Sequence, residues 1–180
     1  MHSFNENRAV GSLAEMIALK RGYTPAKARM IRNAASMHDI GKQRIDPKIL
    51  NKKGKLSPQE FDSMKNHTWM GARMLQSIQG ELGEMTRLCC TAHHEKFDGS
   101  GYWKIPAHSL PELVFFVGIA DVFVALLAAR PYKSAWPPCD ALAYIQNQAG
   151  TQFCPRLVND FIELIERDPR VPVIFSEVIH

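Results

Sequence analysis

The chain has 180 residues, 46% of them hydrophobic, 22% charged and 9% aromatic, with a formal net charge of +4. That length buries one sizeable core without staples, and the unbiased composition excludes disorder, collagen-like repeats and coiled-coil rods. A surplus of four positive charges, spread along the chain, fits a phosphate-bearing ligand but is too weak to point to duplex nucleic acid.

Helix punctuation runs through the sequence in order. Val10, Leu13, Ala14 and Ile17 recur with a helical period over 6–20, ending near Gly22. Thr24-Pro25 is an N-cap followed by a first-turn proline, which opens a helix running towards His38. Asp46-Pro47 starts a short turn of helix through Leu50. After the solvated stretch 51–55, the capping box Ser57-Pro58-Gln59-Glu60 predicts a long helix over 58–78.

A further helix is expected over 84–94, followed by a loop over 95–108 rich in Gly, Asp and Lys. Ser109-Leu110-Pro111-Glu112 reads as a second capping box, opening a very apolar helix through Phe115, Ile119 and Val122 to about Ala129. Helices over 138–149 and 155–166 complete the set. The segment 171–179 has β-branched residues but no partner strand, and reads as a docking segment or part of a linker. The expectation is an all-α fold, a single domain of about seven helices over 1–168, with a tail at 169–180.

No run of 18 apolar residues is present, so no membrane span is predicted. The start of the chain lacks the basic-then-apolar layout of a signal peptide, which gives a cytoplasmic expectation. Cys89, Cys90, Cys139 and Cys154 form no CxxC pair and read as reduced, packed thiols.

The histidines carry the chemistry. His38 is followed by Asp39, His67 stands alone, His93 and His94 are adjacent, and Asp121 lies inside the apolar helix. A carboxylate among Phe115, Phe116, Ile119 and Phe123 costs several kcal/mol to bury unpaired, so it calls for a cation or a metal. Neighbouring residues on a helix diverge by about 100°, which lets a His-Asp or His-His doublet reach two adjacent ions with the Asp between them. Imidazole and carboxylate donors without thiolate suit iron or manganese best, with zinc, cobalt or nickel as alternatives.

Together, His38-Asp39-Ile40-Gly41-Lys42, His67, His93-His94-Glu95-Lys96-Phe97-Asp98-Gly99-Ser100-Gly101-Tyr102, Asp121 and Arg130-Pro131-Tyr132-Lys133 resemble the HD-GYP family, a branch of the HD phosphohydrolases. The likeness covers about 6–166. It implies an all-α fold, a centre of two or three metals and hydrolysis of cyclic di-GMP to the linear dinucleotide, with GMP as a further product. It also implies that His38, Asp39, His67, His93, His94 and Asp121 ligate metal, that His38, Asp39 and Lys42 serve catalysis, and that Lys42, Arg130 and Lys133 contact the substrate.

Two departures stand out. The family signature ends in Gly-Tyr-Pro, whereas this chain reads Gly101-Tyr102-Trp103. The family also places a His upstream of the HD doublet and, in trinuclear members, a Glu four residues before it. Here Glu6 and His2 carry those types in reversed order, so Glu6 is a candidate replacement ligand, two metals are expected, and the third is left open. Such family members carry a sensory or receiver domain upstream, and a homodimer or a signalling-protein partner is compatible with this. A regulatory module that binds cyclic dinucleotides or a partner, a mononucleotide phosphohydrolase and a cyclic GMP-AMP phosphodiesterase remain alternatives.

Overall fold

The structure, a computed structural model, describes residues 4–129 and 134–174. Among these, nine α-helices and two short 3-10 turns account for the regular structure, with no β-strand. No helix among the described residues is long and apolar enough to cross a membrane.

The first two helices, α1 (Phe4–Lys20) and α2 (Pro25–Ala35), pack against each other. Thr24 caps α2 as expected, its Oγ1 accepting from Lys27 N at 3.3 Å. Past Ala35 the chain tightens through His38 and Asp39 into a 3-10 turn, Ile40–Arg44, then into α3 (Pro47–Leu50). The capping box at Ser57 is present in both directions, with Glu60 N on Ser57 Oγ and Ser57 N on Glu60 Oε2.

The helix predicted over 58–78 is broken at Asn66 into α4 (Pro58–Lys65) and α5 (His67–Met74). Side chains compete for the carbonyls there: His67 Nδ1 takes Met64 O at 2.7 Å, and Thr68 Oγ1 donates to Lys65 O at 2.9 Å. This break is one reason that more helices appear than the seven or so expected.

Helix α6 (Gly80–Ala92) starts four residues before the predicted point, opened by Gly80 at φ +70°. The second capping box does not form. Ala107–Ser109 winds into a 3-10 turn, Leu110 is extended, and Pro111 occupies the N-cap of α7 (Glu112–Leu127) without a side-chain bond. Ser109 is therefore two residues too early to cap. Helices α8 (Pro138–Asn147) and α9 (Pro155–Arg167) follow.

Helix α7 is the axis of the core. Phe116, Ile119 and Phe123 are fully buried and lie in one cluster with Leu13 and Ile17 of α1 and Phe161 of α9. Phe123 and Phe161 meet edge to face at 5.2 Å. Arg21, just beyond α1, bonds Asp160 of α9 at 2.8 Å and Glu112 of α7 at 2.5 Å, which pins three helices at one end. Val171 and Ile174 are buried in the same cluster.

Candidate metal centre

Four segments, one turn and three helices, deliver donors to one buried point. His38 and Asp39 come from the tight turns between α2 and the 3-10 turn, His67 opens α5, His93 caps the C-terminus of α6 with His94 behind it, and Asp121 projects from the middle of α7. All but the half-buried His94 are buried.

The donor atoms form two overlapping groups. In one, Asp39, His67, His93 and His94 each place a ligand atom within 4.8 Å of the others; in the second, His38, Asp39 and Asp121 do the same. Asp39 belongs to both. Its Oδ1 lies 3.4 Å from His67 Nε2 and 3.6 Å from His93 Nε2, and its Oδ2 is 3.5 Å from His38 Nε2. His38 Nε2 is also 3.5 Å from Asp121 Oδ1.

The opposite ring nitrogens decide which way these lone pairs point. Nδ1 of His38, His67 and His93 lies 2.7, 2.7 and 2.8 Å from the carbonyl oxygens of Ala35, Met64 and Cys89. Each must therefore be an N–H donor, and a neutral ring then has its Nε2 lone pair facing the cluster. His67 Nε2 and His93 Nε2 stand only 3.4 Å apart. Two lone pairs facing each other beside a carboxylate repel, and a cation between them removes the repulsion. The donor set thus fits a divalent transition metal, with carbonyl bonds orienting the rings.

Electrostatics agree with that polarity. Burial, reinforced by neighbouring imidazoles, holds His93 well below its ordinary range, lowers His67 and brings His94 to about 3. These rings are neutral and ready to ligate at neutral pH. Burial also opposes charge on His38, but Asp39 and Asp121 override it and raise the ring to about 10. Asp39 is buried too, yet His38 and Lys42 hold its carboxyl well below the usual range. Lys42 Nζ bonds Asp39 Oδ2 at 2.5 Å, which places the ammonium at the edge of the centre.

Glu6 lies on α1 and belongs to neither donor group, although its Oε2 is buried. Arg130, Lys133 and His2 lie outside the described residues.

Four residues matter beyond the roles the sequence implied. Gly41 sits where an added Cβ would be 1.9 Å from His67 O and 2.5 Å from Gly71 N, so only glycine lets the Asp39 turn approach α5 this closely. Glu95 is buried, and its two oxygens accept from Trp103 N at 2.7 Å and Ile105 N at 2.9 Å. Trp103 replaces the family proline and docks on α5, donating Nε1–H to Thr68 Oγ1 at 3.2 Å and meeting Trp69 edge-on at 5.9 Å. Tyr102 lies over His94, with ring centres 4.3 Å apart, and covers that side of the centre. A glycine within a His-Asp motif is a legible signal of close approach; the Glu95 clamp has no local signature.

Comparison with known proteins agrees with this geometry. A model of the HD domain family matches residues 1–157. The cyclic di-GMP phosphodiesterase response regulator RpfG of Xanthomonas campestris is 40% identical over 148 residues, 82% of this chain and 39% of that protein. The 3'3'-cGAMP-specific phosphodiesterase 2 of Vibrio cholerae is 36% identical over 155 residues, 86% of this chain and 30% of its own length. The chain thus spans well under half of either relative. In fold it is similar to Bd1817, an HDG"Y"P protein from Bdellovibrio bacteriovorus, with a TM-score of 0.72 at 17% identity over 91% of this chain and 53% of that one. With its residues 1–157 matched and a buried His-Asp centre built on an all-α frame, the chain belongs to the HD domain family.

Proposed function

We propose that the chain is a metal-dependent phosphodiesterase that opens cyclic di-GMP to the linear dinucleotide. The observation that carries this is the convergence of His67 Nε2, His93 Nε2 and Asp39 Oδ1 within 3.4–3.6 Å of one another, with both rings turned inward by backbone carbonyls. The names of the relatives supply the substrate class.

Asp39, His67, His93 and His94 would hold one ion and His38, Asp39 and Asp121 a second, with Asp39 common to both groups. Iron or manganese suits the donors. When bound, two such ions would supply Lewis acidity towards a phosphodiester and a water made nucleophilic near neutral pH. Water oxygen bonds to phosphorus, the P–O3′ bond breaks, and O3′ leaves as the hydroxyl. Lys42 orients Asp39 through one N–H and has further protons for a non-bridging phosphate oxygen. Arg130 and Lys133 are assigned to the nucleotide from their motif. Glu6, outside both donor groups, leaves a third ion weakly held at most, so hydrolysis stops mainly at the linear product.

Cyclic GMP-AMP is the second substrate reading, carried by the Vibrio cholerae relative. The test is elemental analysis of anaerobically purified protein, with product analysis on cyclic di-GMP and cyclic GMP-AMP. Two equivalents of metal and a linear dinucleotide are expected. A metal-replete protein that cleaves neither substrate overturns the proposal.

A further inference from the structure

A metal centre reads a phosphodiester, not the rest of a dinucleotide. Beside His93 and His94 opens a groove of about 330 Å³ whose walls include Phe61, Lys65, Tyr102 and Lys104. Phe61 of α4 is an exposed aromatic, 43% accessible, and meets Tyr102 edge to face at 5.5 Å. Tyr102 in turn lies on His94. An aromatic wall therefore runs outward from the metal ligands.

The same groove is cationic. Lys65, Lys96 and Lys104 line it, and its one acid, Glu95, spends both oxygens on backbone N–H groups. Lys65 is already engaged, with its ammonium 5.2 Å from the Phe61 ring centre and 2.6 Å from Asp62. Lys104 makes no ion pair with a described residue. It is also the one non-glycine among the described residues with positive φ, at +56°. The cause is on either side of it: Glu95 grips the N–H of both Trp103 and Ile105, so the residue between them is turned into the left-handed region. Such strain is held only where surrounding structure imposes it. The exposed Lys104 lines both this groove and a second cavity of about 700 Å³.

We propose that this groove binds the half of the substrate that is not cleaved, with Phe61 facing a purine and Lys104 pairing with the second phosphate. Aromatic faces with free cations select ligands that carry both a base and an anion. The proposal rests on the phosphodiesterase reading for its substrate.

The test uses the full chain, reconstituted with metal, and compares wild type with Phe61→Ala, Lys104→Ala, Lys104→Gly and Lys104→Arg. The ratio of kcat/KM for cyclic di-GMP to that for bis(p-nitrophenyl) phosphate, which lacks a base and a second phosphate, is expected to fall at least about tenfold for Phe61→Ala and Lys104→Ala, through KM. Lys104→Arg should restore most of the loss. Lys104→Gly should melt no lower than wild type, because glycine accepts positive φ, yet lose the dinucleotide preference as Lys104→Ala does. A merely structural role predicts the opposite order.

Binding of the bisphosphorothioate analogue of cyclic di-GMP is measured in parallel. Wild-type ratios and Kd in all four variants would overturn the groove and leave the phosphodiesterase reading standing. If the wild type cleaves neither substrate but binds the analogue in a Lys104-dependent way, the groove stands and the hydrolytic reading falls. No binding by the wild type overturns the groove.

Discussion

Replacing Gly41 by alanine adds one carbon where the 3-10 turn that follows Asp39 and carries Lys42 touches α5. That carbon would lie 1.9 Å from His67 O, 2.5 Å from Gly71 N and 2.8 Å from His67 C, all backbone atoms that no rotamer change can move. Restoring ordinary contact requires the turn and α5 to separate by about 1.5 Å. Asp39 sits on one side of that seam and His67 on the other, with donor atoms 3.4 Å apart. Ligand distances tolerate only about 0.2 Å, so a shift of this size dismantles the pair as a common site. The overpacking itself costs about 1–3 kcal/mol, or a fall of about 2–12 °C in Tm for a domain of this size. Elemental analysis and thermal melting of the chelator-treated protein read the two effects separately. Wild-type metal content together with an unchanged Tm in Gly41→Ala would refute the reasoning.

Asp39→Ala should lose both metal equivalents at once, since its carboxylate belongs to both donor groups; loss of only one, measured as metal per chain, argues against a bridge. Metal affinity should rise with pH: His38, raised to about 10, is protonated at neutral pH and must shed that proton to ligate, whereas His67, His93 and His94 are already neutral. Chelator competition at pH 7 and 8 should show about tenfold tightening, with one proton released per chain, and a flat profile would count against it. In the chelated protein the same raised value stabilises the fold below about pH 6.5, a contribution lost as pH climbs through about 10. Trp103→Pro, which restores the family residue, should destabilise the protein by about 1–3 kcal/mol rather than improve it. Proline has no N–H for Glu95 Oε1 and no indole for Thr68; a Tm equal to or above that of wild type would contradict this.

Much of the centre was legible because metal ligands come in doublets with fixed chemistry. His38-Asp39, His93-His94 and Asp121 announced themselves by type and setting, and the structure brings all of them together with His67. The α-helical class followed from caps at Thr24 and Ser57, where local hydrogen bonds decide the outcome. Ser109 failed by the same rule: the 3-10 turn that displaces it depends on how the loop lies against the rest of the fold. The break at Asn66 has no signature in the sequence because the periodicity continues across it. His67 and Thr68 are ordinary helix residues until their side chains claim the preceding carbonyls. That break is functional geometry, since the bond that interrupts the helix is the one that turns His67 Nε2 towards Asp39.

The missing proline has a similar explanation. A proline fixes φ at its own position, whereas here the Glu95 carboxylate fixes the chain from outside, by taking the N–H groups of residues 103 and 105. The rigidity is supplied by a buried side chain eight and ten residues away, and sequence distance hides such a device. It also explains why Gly101 has no room for a side chain: a Cβ there would lie 2.5 Å from Glu95 Cα and 2.7 Å from its Oε2. Glycine 101, the Glu95 clamp, and the Trp103 anchor on Thr68 form one unit that holds Tyr102 over His94 and turns Lys104 outward. A loop held by hydrogen bonds to a carboxylate needs an N–H at position 103, so in this chain tryptophan and proline are not exchangeable.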